Sequence, residues 1–339
     1  MKKLLILNTG DRFESSGGIA PFMRHMHNYL AQEYEVEYMF TPKWMEKIPG
    51  PGRLHYFIYL IFARHRFKKF DFLLSHAVEG SYFASFSKIP YSHIYHGNSN
   101  PVEYSRFWYG HYFVKFYDMM FRRIERTAAL LYTVGPIRNE RQKKLYNPLE
   151  QTTLPKPIAD RSGFVFAGRI DIVKRVDRLI QNYAKLPADV KDKNGFSIIG
   201  SGKLDNEMKA LVVQLKESER IKFSGQIDNS LMMPTISKHK IMLMASITEG
   251  FPTAIAESLS VGVPVVTTNV GDISSIIKDG YNGRLLNVDF TDEEYIAAIL
   301  DVLSNYGEMS ENAYKTSTVF NCERITNMII QDINKIIEG

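Results

Sequence analysis

The chain has 339 residues, 45% hydrophobic and 23% charged, which fits a globular protein large enough for two domains, each with its own core. No apolar run approaches the ~20 residues that span a bilayer, the apolar run after Met1-Lys2-Lys3 lacks the cleavage site of a secretory leader, and the single Cys322 excludes an intrachain disulfide and fits a reducing cytoplasm. The net charge of +5 is unevenly divided: residues 1–158 hold 22 Lys and Arg against 13 Asp and Glu, the remainder 20 against 24, so the first half calls for an anionic partner such as a membrane surface, an acidic acceptor or nucleic acid.

Residues 2–8 predict a buried first strand. Asn8 to Asp11 and Ser15-Ser16-Gly17-Gly18 form a glycine-rich loop, and a helix follows over about Ile19–Ala31 with Pro21 in its first turn. Strand, glycine loop and helix make a turn that an anion or a sugar can approach, although most Gly-Gly pairs are only turns. Residues 35–40 alternate apolar and polar as a second strand, and 44–52 read as loop. Arg53 to Phe70 is a helical stretch, aromatic on one side and basic at its end. It is either an in-plane membrane-contacting helix or a core-facing helix with a solvated basic end.

Phe72–Ser75 and Tyr91–Tyr95 predict strands that end in His76 and His96. Ligands of open α/β sheets bind beyond the carboxyl ends of the strands. An isolated histidine there is more often structural, but Gly97 leaves room beside His96. Residues 100–127 are rich in Tyr, Phe, Trp and Arg, which either stack on sugars or fill a core. Ala129–Val134 is a further strand, and 145–159, with three prolines, reads as the connection between domains.

The second half opens on the strand Gly163-Phe-Val-Phe-Ala-Gly168, followed by Arg169 and by Lys174 near the start of a helix. Both cations can reach a diphosphate, Arg as a fork and Lys as a compact charge. Phe196 to Gly202 is a strand running into Gly200-Ser201-Gly202, which lacks the third glycine of a dinucleotide fingerprint. Ile221 to Ile227 is a strand and turn, and 241–245 is a buried strand. The loop Asn269–Asp272 is assigned no role. Thr291–Ser304 is a helix with acids in its first turn, and Cys322–Ile337 is the terminal helix.

The densest stretch is Thr248 to Val266. Gly250 permits a sharp turn after Glu249, and Pro252 suits a first helical position. A helix runs over about Thr253–Val261, Gly262 stops it, and Pro264-Val-Val-Thr-Thr is the next buried strand. The free N–H groups of Thr253, Ala254 and their neighbours make a positive helix end suited to a phosphate. Glu249 stands before that end and Glu257 two turns into the helix, so two carboxylates can face the two ends of a phosphate-bearing ligand. Acids also sit at helix starts for dipole reasons alone.

The E-x₇-E spacing of Glu249 and Glu257, with Gly168-Arg169, Lys174 and the Gly200-Ser-Gly202 turn, resembles the nucleotide-sugar site of family 4 retaining glycosyltransferases. The resemblance is strong over 163–286 and thinner before Ala129. It implies an α/β chain of the GT-B fold, two Rossmann-like doubly wound domains facing a central cleft. An acceptor-side domain would span 1–155, a nucleotide-sugar domain 156–318, and 319–339 would be a helix packing back on the first.

In that family the first Glu contacts sugar hydroxyls and the second holds the ribose, which assigns Glu249 and Glu257. Arg169, Lys174 and the helix start Gly250, Phe251, Pro252, Thr253 and Ala254 would receive the diphosphate. Gly168, Gly200, Gly202 and Ile227 would border the nucleotide, Gly17 and Gly18 the donor phosphates, and His96 would face the sugar, with His76 the weaker match. Glu249, His96, Arg169 and Lys174 are the expected catalytic set. Gly135 stands where the family often has Ser, and Asp272 and Ser275 replace a Gly and a Glu.

The implied reaction moves a hexose or N-acetylhexosamine, with retention and without a metal or other cofactor, since no D-x-D pair is present. The donor would be a nucleotide-sugar, UDP favoured, and the acceptor a glycan or lipid-linked glycan of a bacterial-type surface polysaccharide. No nucleic acid is expected as partner. The setting would be cytoplasmic, with peripheral contact to an anionic membrane. A sugar phosphorylase, a nucleotide-sugar epimerase and a non-catalytic partner subunit stay open as alternatives.

Overall fold

The computed structural model describes residues 1–10, 19–96, 110–249 and 253–339. Gly17, Gly18, Gly250, Phe251 and Pro252, all expected at the site, lie outside the described residues. The chain forms two compact units: Met1–Pro148 with Cys322–Gly339, and Leu149–Asn321. The sequence reading divided it at 155/156 and 318/319.

The first unit holds a six-stranded sheet of β1 (Lys2–Leu7), β2 (Tyr34–Met39), β3 (Phe72–Ser75), β4 (Tyr91–Tyr95), β5 (Leu130–Thr133) and β6 (Gln142–Lys144). Their order is β2-β1-β3-β4-β5-β6, and every pairing is parallel. Parallel strands need crossover helices, which cover both faces, so the strands read as nearly continuous apolar runs. Pleating then sends neighbours to opposite cores. Leu5, Leu7 and Leu73 join Tyr56, Leu60 and Met120 on one face. Leu4, Ile6, Phe72 and Leu74 join Phe22, Met26, Ile329 and Ile333 on the other.

The second unit repeats the plan with β7 (Phe164–Ala167), β8 (Phe196–Ile199), β9 (Ile221–Gly225), β10 (Ile241–Leu243), β11 (Val265–Thr268) and β12 (Gly283–Leu286). Its order is β12-β11-β10-β7-β8-β9, again all parallel. In each sheet the winding reverses once, between β1 and β3 and between β10 and β7. At such a switch point the two loops leave in opposite directions and open a crevice above the strand ends. The loops after β1 and β3 lead from Asn8 and through His76. Those after β7 and β10 carry Gly168–Lys174 and Glu249.

Some expectations need correction. The helix placed over 53–70 runs only over Gly52–Ala63 and tightens into a 3₁₀ turn at Arg64–Lys69. Residues 43–46, overlapping the start of the expected loop at 44–52, form one helical turn. Gln142–Lys144 is an edge strand too short and polar to show periodicity, and Tyr306–Thr316 is an unanticipated helix. The helix at 292–304 has a full capping box, with Thr291 and Glu294 exchanging side-chain-to-backbone bonds.

Candidate functional site

In the second unit, three strand-end loops are stitched to one another. Gly168 N–H donates to Ile199 O at 3.0 Å, Ile170 N–H to Ser201 O at 3.2 Å, and Gly200 N–H to Gly225 O at 2.8 Å. The glycines are required by this closeness. Gly200 has φ +126°, and a Cβ there would stand 1.9 Å from Gly168 O; one on Gly202 would stand 2.1 Å from Ile170 O. The G-x-G turn thus locks the β7 and β8 loops together, which sequence spacing alone does not reveal. Ile227 is half-buried just after β9.

The β7 loop continues to Lys174, whose backbone N–H is capped by Asp171 Oδ1 at 3.1 Å. Ile247 N–H donates to Val173 O at 2.9 Å, tying this loop to the one after β10. Arg175, in the left-handed region at φ 48°, reaches back with Nε to Ala245 O at 2.6 Å. Through these ties Lys174 Nζ meets Glu249 Oε1 in an ion pair whose side chains are only 15% and 8% exposed. Ser246 Oγ donates to the same carboxylate oxygen at 2.6 Å, and Thr268 Oγ1 holds Ser246 O at 2.6 Å.

Lys174 and Glu249 therefore come together, a pairing the sequence reading did not foresee. It read Lys174 with Arg169. Arg169 is instead 81% exposed, and its one ion pair among the described residues is with Asp171, at 3.6 Å. Asp171, Arg175 and Ser246, which position the pair, were also missed. The signal for Asp171 was an acid three residues before Lys174, the spacing of a capped turn.

The helix Thr253–Ser260 starts with Thr253 exposed and Ala254 half-buried. Its far end is held by the buried Arg161, which donates to Gly262 O at 2.6 Å and Lys156 O at 2.7 Å. Glu257 makes no ion pair or hydrogen bond among the described residues. Burial alone pushes its carboxyl up to about 7. A carboxyl in that state lacks the donors that would stabilise its charge.

In the first unit, the ends of β3 and β4 bring His76 and His96 together. His76 Nδ1 and His96 Nε2 lie 2.7 Å apart, and the rings stack with centroids 5.0 Å apart. Phe22 sets its edge against both, at 5.5 and 5.1 Å. Burial lowers His96 to about 4 and His76 well below the usual imidazole value, so the pair is neutral at pH 7. At the end of β1, Asn8 is 1% exposed, and neither atom of its amide has a partner among the described residues. Buried amides normally find partners, so this one marks a place where a polar group is wanted. Among the described residues no three His, Cys, Asp or Glu side chains are grouped to hold a metal ion.

Residues 155–318 match the model of the family "Glycosyl transferases group 1". N-acetyl-alpha-D-glucosaminyl L-malate synthase of Bacillus anthracis is 33% identical over 119 residues, 35% of this chain and 30% of that protein. The N-acetylgalactosamine-N,N'-diacetylbacillosaminyl-diphospho-undecaprenol 4-alpha-N-acetylgalactosaminyltransferase of Campylobacter jejuni is 30% identical over 166 residues, 48% and 41% of the two. These matches span less than half of either relative's length. Among solved structures, Anabaena Alr3699/HepE in complex with UDP superposes with TM-score 0.70 at 16% identity, over 98% of this chain and all of that one. That likeness shows the fold, GT-B, with its two Rossmann-like units.

Proposed function

We propose that this chain, whose residues 155–318 form a group 1 glycosyltransferase domain, moves a hexose or N-acetylhexosamine from a nucleotide diphosphate sugar to a glycan or lipid-linked acceptor. The observation that carries the reading is the buried Lys174–Glu249 pair at the β7/β10 switch point, with Glu249 four residues before the Thr253–Ser260 helix in the chain. A diphosphate needs cations and free N–H groups, and a sugar needs a carboxylate to accept its hydroxyl protons. Here Lys174 and Glu249 neutralise each other while the ligand is away. On donor binding, Lys174 and Arg169 turn to the diphosphate, and Glu249, still held by Ser246, accepts from the sugar hydroxyls. Glu257 receives the ribose hydroxyls, the donors its desolvated carboxyl lacks.

Charge that develops on the leaving diphosphate is then met by preplaced donors, the kind of stabilisation that contributes most in such reactions. His96, kept neutral beside His76, offers its free ring nitrogen to a sugar hydroxyl. UDP is the favoured nucleotide; the Anabaena neighbour's complex with UDP supports that choice. The Campylobacter relative, named for an undecaprenol-linked substrate, supports a lipid-linked acceptor and a role in surface polysaccharide assembly. Retention of configuration and independence of metal complete the proposal.

A melting screen with UDP, GDP, ADP and TDP and their sugars, in EDTA, tests it. One nucleotide should raise the melting temperature through linkage, with no metal added. With an acceptor found, the product's anomeric proton coupling reports retention. No shift with any nucleotide on the folded protein would sink the reading and favour a non-catalytic partner subunit.

A further inference from the structure

The helix Gly52–Ala63 is packed on one side only. His55, Tyr56, Leu60 and Ala63 are buried. Leu54, Ile58, Ile61 and Phe62, on the other side at spacings of four, three and one, are 47, 38, 43 and 73% exposed. A stripe of four large apolar side chains facing solvent on one helix is unusual for a surface that meets only water.

The stripe ends at a half-open pocket of about 620 Å³. Its apolar walls include Phe67, Phe83 and Ile89, and Phe62 and Phe86 stand at its mouth, Phe86 being 53% exposed. The same pocket is lined by Arg64, Lys68 and Lys88, none of which has a carboxylate partner among the described residues. Arg64 lies over the Phe83 ring at 5.7 Å, and Arg123 over the Phe86 ring at 3.8 Å. From Lys47 to Phe70 the sequence holds six Lys and Arg and no Asp or Glu. Of these cations Arg53 pairs with the buried Glu79 at 3.2 Å, away from the pocket lining, and Arg66 with Glu37 at 3.8 Å.

We propose that this face docks on an anionic phospholipid bilayer. The exposed stripe and the two mouth phenylalanines enter the boundary between headgroups and acyl chains. The pocket takes one acyl chain, and Arg64, Lys68 and Lys88 hold the phosphates around it. Each half of the arrangement needs the other: apolar contact alone would not choose a charged surface, and cations alone would not need exposed aromatics. Among the described residues no helix is long and apolar enough to cross a membrane. The inference rests on these residues and not on the transferase reading.

Co-sedimentation of the full chain with vesicles tests it. Phosphatidylcholine vesicles containing phosphatidylglycerol should pellet the protein at low salt, and pure phosphatidylcholine should not. Phe62→Ser with Phe86→Ser should abolish pelleting, and Arg64→Glu with Lys68→Glu should weaken it by roughly tenfold or more. All four positions lie outside the nucleotide site, so the melting shift given by a nucleotide should persist in every variant. That separates failure here from failure of the proposed function. Absence of binding to the anionic vesicles at low salt would overturn the proposal, as would equal binding by the folded variants. Capture by polyglutamate without vesicle binding would assign the face to an acidic protein and overturn it too.

Discussion

The two units answer one structural question in opposite ways. Each places polar side chains beyond the ends of parallel strands at the point where the winding reverses. In the first unit those groups are His76, at the reversal, and His96, one strand over at the end of β4, stacked, edged by Phe22 and held neutral by burial. In the second they are Lys174 and Glu249, nearly as hidden but joined as an ion pair, each the other's counter-ion, with Ser246 supporting the carboxylate. Topology settles where a site sits; the partner of each side chain settles how it bears its burial. A buried pair tolerates desolvation together and not singly.

The sharpest way to break that contrast is to strip the charged side of one partner. Lys174→Ala should cost about 3 to 5 kcal/mol of stability, since it strands the Glu249 carboxylate. It should also weaken nucleotide-sugar binding by roughly a hundredfold. Lys174→Ala with Glu249→Gln should recover the stability and leave turnover abolished. Chemical denaturation with calorimetric titration reads both. A double variant that regained activity would reduce the pair to a structural role.

A smaller effect comes from Glu257, which has burial but no partner. Its free-state carboxyl titrates at about 7. Ligand hydroxyls stabilise the ionised form, so affinity should rise with pH through 7 and level off above it. Below 7 it should fall by about tenfold per pH unit, the limit for one linked proton. Glu257→Gln should bind more weakly with a flat profile over that range, as read by titration calorimetry across pH.

The smallest effect belongs to the neutral side. His93 lies deeper in the first unit, against Ser81 at 2.7 Å, and burial lowers it to about 3. His96 is lowered to about 4. An unfolded chain takes up these protons near 6.5, whereas the folded one resists until much lower. Stability from this source is therefore intact above 6.5 and lost as pH falls from there toward 3. His93→Gln should flatten part of the slope of melting temperature against pH in that window. An unchanged slope would show that the carboxylates alone govern acid unfolding.

Much of this was legible in the sequence because parallel strands buried on both faces declare themselves as apolar runs. β3, β4, β8 and β11 fall on residues the pattern marked. The site was legible as residue types at fixed spacings, yet not as partnerships. Glu249 and Lys174 are 75 positions apart, and only the meeting of the β7 and β10 loops joins them. The reasons for Gly200 and Gly202 are likewise carbonyls on another loop, invisible from their own neighbours. The helix at 52–63 misled at its end, since the aromatic and basic pattern runs on past Ala63 while the backbone tightens.

The return of residues 322–339 to the first unit has a bearing on synthesis. Ile325, Ile329, Ile330 and Ile333 complete a core begun by Leu4, Phe22 and Met26. Asp332 accepts from Tyr132 Oη at 2.9 Å and meets Lys143 at 2.7 Å. A ribosome releases Leu149–Asn321 whole before it supplies that last helix. The half of the protein made first is thus completed after the other: one face of its sheet, covered in part by the helix Ile19–Glu33, is closed only once residues 322–339 have been made.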